Sequence, residues 1–321
     1  MINSLKALQT RLSPPLLALL LAIILYFIGG ILAPGFVNVE QAINIVRLAA
    51  FLGIIAAGQT LIIISGSEGI DLSAGAVVTL GAILAFRISN GQDSMVIPGL
   101  LVALAAGASI GFINGLGITL FGIPPLVMTL GMTGVVAGTI RAVTRGELEG
   151  GTPPIMGKLI SAPLVAGLPG VIFLWLLIGF GMWLLLERTA YGKQLFAIGI
   201  NRTTARLSGV RVQLVVLATY TLGGLLAALG GFILLAFSQT VFLNLGQPYL
   251  FPSIAAVVVG GTVLAGGQGS YWGTMSGALV LTLLQSLLRA LQIEEALQLI
   301  VLGLTLVVLI SFYGRERKLR Q

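Results

Sequence analysis

Cysteine and histidine are both missing from this chain, and only 8% of its 321 residues are charged. Without cysteine there is no disulfide and no thiolate metal site. Without histidine the commonest general base and metal ligand is gone as well. The scarcity of charge excludes more. A soluble domain carries about 25% charged residues, and this chain cannot cover a water-facing globule with the polar surface it has. What it has instead is oil: 57% of the residues are hydrophobic and the mean hydropathy is +1.08. The composition therefore implies a polytopic membrane protein. No soluble domain and no disordered tail are visible, so residues 1–321 read as a single transmembrane domain.

A spanning helix needs about 20 apolar residues. Apolar segments lie near 14–33, 43–65, 71–89, 96–120, 124–143, 168–187, 212–236, 251–266, 272–290 and 296–313. The expectation is an all-α polytopic protein with about ten transmembrane helices. The eighth segment is short and ends in Gly-Gly, which suggests a broken span. The N-terminal stretch "MINSLKALQTRLSPP" has basic residues before an apolar run but no small-residue cleavage site after it. An uncleaved first helix is expected rather than a signal peptide.

The net charge of +7 is best read through the positive-inside rule, which concentrates Lys and Arg in cytoplasmic loops. With the N-terminus inside, the inner side receives Lys6, Arg11, Arg188, Lys193, Arg202, Arg206, Arg211, Arg315, Arg317, Lys318 and Arg320. That is eleven of the seventeen basic residues. An even number of spans returns the C-terminus to the same side, so both termini are expected to be cytoplasmic.

Forty-four glycines fit close packing of membrane helices. Gly107, Gly111 and Gly115 share a face of the fourth segment. Gly223, Ala227 and Gly231 share one on the seventh, and Gly273 and Gly277 one on the ninth. Packing inside one chain is the simpler use of these faces, dimerisation the other. "SGSEGIDLSAGAVVTLGA" also resembles "LAGGQGSYWGTMSGA" in plan, each being a Gly-rich break followed by a small-residue helix. Paired broken segments often flank the path in transporters.

Catalysis finds no support. Outside "SEGID" the acids are Glu40, Asp93, Glu147, Glu149, Glu187, Glu294, Glu295 and Glu316, all in loops or at helix ends. No catalytic residues and no metal ligands are assigned. An ion-coupled carrier would place ionisable groups within the bundle, and only Glu68 and Asp71 qualify. Asp71 is also placed to cap the third span, its carboxylate at the positive helix end. Polar groups in or near the spans that could contact a solute are Gln59, Thr60, Ser65, Asp71, Ser73, Asn114, Thr129 and Gln239. Each could equally bond its own helix backbone or glue two helices together.

The stretch 188–211, "RTAYGKQLFAIGINRTTARLSGVR", is too polar to span. Asn201 or Thr203 can cap a short helix that ends at Gly209, a good C′ residue. Ala205 and Leu207 offer it small apolar contacts, with Arg202 and Arg206 beside them. Such a helix is either a lever for a partner or an ordinary surface helix.

Here the sequence resembles a known family. "RTAYGKQLFAIGINRTTARLSGV" is similar to the cytoplasmic loop of the ribose-type permeases, the membrane subunits of ATP-binding-cassette importers for ribose, arabinose, galactose, xylose and related solutes. "GIDLSAGAV" resembles that family's signature after the second span. "IAAVVVGGTVLAGGQGSYWGTMSGA", Ile254 to Ala278, resembles its late Gly-rich motif. The resemblance implies import of a sugar or sugar-like solute from the periplasm through a bacterial inner-membrane subunit. It implies as partners a second permease, identical or not, two cytoplasmic ATPases and a periplasmic solute-binding protein. It also implies ATP and Mg bound by the ATPases, with no cofactor on this chain. It assigns docking on the ATPase to Gly199, Asn201, Ala205, Arg206, Leu207 and Gly209, with Arg202 and Thr203 in the same turn. No Walker A loop, G-x-x-x-x-G-K-[ST], occurs in the chain. Two departures stand out: Glu68 where the family has glycine, and "YLFPS" where an acidic residue is common before "IAAVVVGG". Import of a nucleoside by the same kind of machine, an autonomous carrier or channel, and a scaffold without transport are the alternatives.

Overall fold

The computed structural model describes residues 13–66 and 69–314. Lys6, Arg11, Glu68, Arg315, Glu316, Arg317, Lys318 and Arg320 lie outside the described residues. In chain order the helices are α1 (Pro14–Leu32), α2 (Val39–Ile64), α3 (Ala74–Ser89), α4 (Val96–Thr119), α5 (Pro125–Thr144), α6 (Pro154–Ile160), α7 (Gly170–Trp183), α8 (Ala190–Ile200), α9 (Arg202–Leu207), α10 (Val212–Ser238), α11 (Gln247–Val259), α12 (Tyr271–Ala290) and α13 (Glu295–Gly314). A π-helical turn, Leu184–Arg188, extends α7. The all-helical expectation holds except for one small ribbon. Strands β1 (Pro163–Val165) and β2 (Leu168–Pro169) pair antiparallel around a turn at Ala166 and Gly167, both with positive φ.

Helix starts follow local chemistry. Pro14 and Pro15 open α1, where a missing N–H costs nothing. Asn38 caps α2 by accepting from the Gln41 N–H at 2.8 Å, with Glu40 in the first turn. Ser270 caps α12 through the Gly273 N–H at 3.1 Å. Asn90 and Gln239 close α3 and α10 in the left-handed region.

Among the described residues, six helices are long and apolar enough to cross a membrane: α1, α2, α4 with the short turn before it, α5, α7 with its π turn, and α10. The remaining four expected segments are helical but do not meet that standard. α3 begins only at Ala74, because the chain turns at Leu72 and Ser73 before the helix starts. The eighth segment is displaced: α11 occupies Gln247–Val259 with Pro252 inside it, and residues 260–270 form a glycine-rich loop. Thirteen residues rise only about 20 Å, against the roughly 30 Å of a hydrocarbon core.

α2 and α10 form the centre. Nearly all of α2 from Ala49 to Ile64 is buried, and α10 packs on α2, α3 and α4. α1, α4 and α5 turn large apolar side chains outward, among them Ile31, Leu101 and Leu130, as a lipid-facing rim requires. The helices alternate direction. At one end of the bundle Gly66, Gly199, Gly266 and Gly267 meet. At the other, Gly91 bonds Gly151 and Thr152 bonds Gln239.

The glycine faces pack within the chain. A Cβ on Gly111 would strike the Tyr220 carbonyl, and one on Gly224 the Gly107 carbonyl, so α4 and α10 meet backbone to backbone. Gly223 admits Ile62 of α2, Gly231 the Val78 carbonyl of α3, and Gly277 the Ala256 carbonyl of α11. Such contacts replace side-chain volume with backbone dispersion, the usual route to tight membrane packing. Gly111→Leu should cost about 1–3 kcal/mol through overpacking and lower the melting temperature in detergent. Gly131→Leu on α5, where a Cβ meets nothing within 4 Å, should leave it unchanged. Equal melting temperatures for the two variants would contradict the α4–α10 contact.

Candidate functional site

The stretch between α7 and α10 folds into two helices, not one. Thr189 caps α8 by accepting from the Gly192 N–H at 3.2 Å. Asn201 caps α9 by accepting from the Thr204 N–H at 2.9 Å; Thr203 is exposed within its first turn. At the other end Gly209, at φ +84, closes α9. Its N–H donates to the Arg206 carbonyl at 3.0 Å and the Val210 N–H to the Ala205 carbonyl at 3.1 Å. That pair is a Schellman motif. Both ends of a six-residue helix are thus fixed, which a helix this short needs.

Side-chain directions differ from the sequence expectation at one position. Ala205 is buried and anchors α9 inward, but Leu207 is 83% exposed. Arg206 is exposed and Arg202 partly buried. Burial first, then the positive charge of Arg206, pulls the Arg202 guanidinium below its ordinary pKa. Ile200, at the end of α8, is exposed beside them. α8 itself escaped the sequence reading. Its signal was present: Tyr191, Leu195, Ile198 and Gly199 follow helical spacing behind a Thr cap.

Gly199 ties this region to the bundle. A Cβ there would overlap the Ile64 carbonyl at the end of α2 and the Gly267 backbone. The Gly267 N–H in turn donates to that Ile64 carbonyl at 2.9 Å. Gly66 and Gly266 press against one another, both with positive φ. Three chain segments, from α2, from α8 and from the loop before α12, therefore meet through bare backbone immediately before α9.

After this junction the chain turns back into the bundle. Asp71 ends up beside Gln59, more than a turn up α2. The Gln59 amide pairs with its backbone, donating to the Asp71 carbonyl at 2.7 Å and accepting from its N–H at 3.3 Å. The α5 hydroxyls do the same for Leu72: Thr129 accepts from its N–H at 3.1 Å and Thr133 donates to its carbonyl at 2.9 Å. Asn114 of α4 donates to Ser73 Oγ at 3.0 Å. Asp71 is not the helix cap that its position suggested. Ser73 holds the N-cap position, and the Asp71 carboxylate accepts from the Ser73 N–H at 2.8 Å and hydroxyl at 2.5 Å. This is an Asx turn one step earlier. The turn through Leu72 and Ser73 puts the helix start three residues beyond Asp71.

Of the eight solute-contact candidates, Gln59, Asp71, Ser73, Asn114 and Thr129 are thus one buried network that secures the loop. Thr60 adjoins it and bonds Thr274 of α12 at 2.8 Å. Ser65 bonds the Ile62 carbonyl of its own helix at 2.6 Å. Gln239 lies at the opposite end, its carbonyl accepting from the Thr152 hydroxyl at 3.0 Å. Thr133 belongs to the network and was missed, although its spacing of four from Thr129 places the two on one face. None of the eight lines the cavities of about 800 and 560 Å³ at the other end of the bundle.

These features define a helical membrane protein with a broken, internally anchored loop and a projecting surface helix tied to it by glycine. The chain belongs to the family described as branched-chain amino acid transport system / permease component, which matches residues 41–310. It is 34% identical to the ribose import permease protein RbsC of Bacillus subtilis (strain 168), over 89% of this chain and 88% of that protein. It is 32% identical to the autoinducer 2 import system permease protein LsrC of Shigella flexneri, over 95% and 89%. It is 31% identical to the fructose import permease protein FrcC of Rhizobium meliloti, over 95% and 85%. No solved structure matches the chain.

Two substitutions probe the site. Gly199→Ala forces the junction apart and should lower stability by about 1–3 kcal/mol, read as a drop in melting temperature; an unchanged value would deny the close contact. Asp71→Asn keeps the acceptor of the Asx turn and should stay near wild type. Asp71→Ala leaves buried donors unpaired and should cost about 1–3 kcal/mol. If both behaved alike, the turn would not be what holds Ser73.

Proposed function

We propose that this chain is the membrane subunit of an ATP-binding-cassette importer for a sugar or sugar-like solute. The relatives named above, import permeases for ribose, fructose and autoinducer 2, support the solute class. The observation that carries the mechanism is α9: a helix capped at both ends, anchored by Ala205, with Leu207 presented to its surroundings. An exposed leucine beside Arg206 is a suitable knob for an apolar groove with an acidic rim on an ATPase subunit.

On this reading the end of the bundle bearing α9 is cytoplasmic, as are both chain termini, and the chain crosses the inner membrane about ten times. α3, α11, α12 and α13 complete the crossings that the six long helices begin. Two permeases, identical or not, pair with two ATPases that bind ATP and Mg, and a periplasmic binding protein delivers solute to the opposite end. This chain performs no catalysis. Closure of the ATPases pushes on α9, and the glycine junction passes the displacement to α2 and to the loop before α12 together. Alternating access follows when those two elements shift against α10. The network around Asp71 then lies where the path would open, which keeps Gln59, Thr60, Ser65, Asp71, Ser73, Asn114 and Thr129 as proposed contacts. Gln239 is the proposed contact at the outer end.

Burying a leucine contributes about 1.5–3 kcal/mol. Leu207→Ser should therefore weaken ATPase docking by roughly tenfold or more, and Arg206→Ala should add to the loss, while the melting temperature of the permease alone stays put. Pull-down of the ATPase and ATP-driven uptake in proteoliposomes holding the ATPase and binding protein give the readouts. Unaltered docking and uptake in the Arg206→Ala, Leu207→Ser double variant would exclude this coupling role.

A further inference from the structure

Two basic residues toward the end opposite α9 share a cavity. Arg47 lies on α2 about 12 Å from the helix start at 1.5 Å per residue. Arg289 stands near the end of α12. Both line a cavity of about 560 Å³ between α2, α10, α11 and α12, together with Asn44, Phe237, Thr282 and Gln285. Among the described residues no Asp or Glu is in that lining. Arg47 donates to the Asn44 side-chain oxygen at 2.6 Å and sits over the Phe237 ring at 5.3 Å. Its Nε is buried without a partner among the described residues. Arg289 donates from Nε to the Gln285 carbonyl at 3.3 Å. The adjoining cavity of about 800 Å³ also has Arg289 in its wall, with Glu295 among the described lining residues.

An ionised side chain at this depth in a membrane protein usually has a counter-charge or a functional role. Here the partners are an amide, a ring and a carbonyl, which satisfy hydrogen bonds but neutralise nothing. Two guanidinium groups facing one cavity match a carboxylate or phosphate, each able to offer paired N–H donors. The neutral groups around them, Asn44, Thr282 and Gln285, suit hydroxyls. The volume falls within the usual range of small-molecule sites, about 300–1,000 Å³.

We propose that this cavity is a solute-admission site selective for a sugar carrying one anionic group over its neutral counterpart. The inference rests on the importer reading for its direction of use, but the binding preference stands apart from it.

The test uses the full-length permease in lipid nanodiscs, with D-ribose, D-ribonate and D-ribose 5-phosphate as probes. Binding is read by calorimetry, and the melting temperature of every variant is read alongside. D-Ribonate, D-ribose 5-phosphate or both should bind about tenfold or more tightly than D-ribose, and their order tells a carboxylate from a phosphate site. Arg47→Gln and Arg289→Gln should each bring the ratio down, and Arg47→Lys should keep much of it. Equal binding of all three probes would overturn the proposal. So would a preference that survives Arg47→Gln with Arg289→Gln. Variants that weaken capture of the binding protein while leaving the ratio untouched would assign the arginines to docking instead. ATP-driven uptake by the complete importer is measured separately. An arginine-dependent preference without coupled uptake retains the site and sinks the importer reading; coupled uptake without the preference does the reverse.

Discussion

Backbone groups left unpaired in hydrocarbon cost several kcal/mol each, and this chain abandons the helix twice inside its bundle. Everything around those two places serves to supply what the helix no longer does. The Gln59 side chain imitates a strand partner for Asp71. Two threonines of α5 serve both backbone groups of Leu72. In the second break the Gly267 N–H takes the carbonyl that α2 leaves free at Ile64. The breaks thus satisfy each other, and the glycines are the condition for it, since any side chain at Gly199 would hold the strands of the junction apart.

That mutual arrangement bears on the likeness between the two Gly-rich stretches. α2, loop and α3 repeat as α11, loop and α12, and a serine stands at the N-cap position of the second helix in both, Ser73 and Ser270. Thr60 on the first helix of one unit bonds Thr274 on the second helix of the other. Plan and contact agree. α8 attaches at the seam between the two units, Gly199 lying against both Ile64 and Gly267.

Much of this was legible from residue types alone. Each apolar run became a helix, each glycine face found a helix of the same chain, and Asn201 and Gly209 ended α9 by the chemistry that suits them. What escaped notice depends on tertiary geometry. Asp71 precedes an apolar run and so looks like a cap, but its backbone is pinned by Gln59 and the chain turns once more before the helix begins at Ala74. Residue type does not separate Ala205 from Leu207, but Ala205 is buried against the bundle and Leu207 is exposed. α8 has eleven residues, far short of a span, so the search for apolar runs of spanning length passes over it. Gln239 shares with the other polar candidates only its residue type; its place in the chain puts it at the far end. The two arginines facing one cavity come from α2 and α12, and nothing in the spacing of 47 and 289 announces that they meet.

The first described helix has a history in biosynthesis. α1 is the most apolar of the six long helices and among the least buried, and its packing partner is α12. Residues 33–270 are synthesised between α1 and that partner, so α1 must be at home in lipid until the contact can form. Its hydrophobicity is what makes that waiting stable, since a helix in hydrocarbon needs no neighbour to satisfy its backbone. The helix that is made first among those described is the one that docks late, and its apolar surface serves insertion more than the final packing.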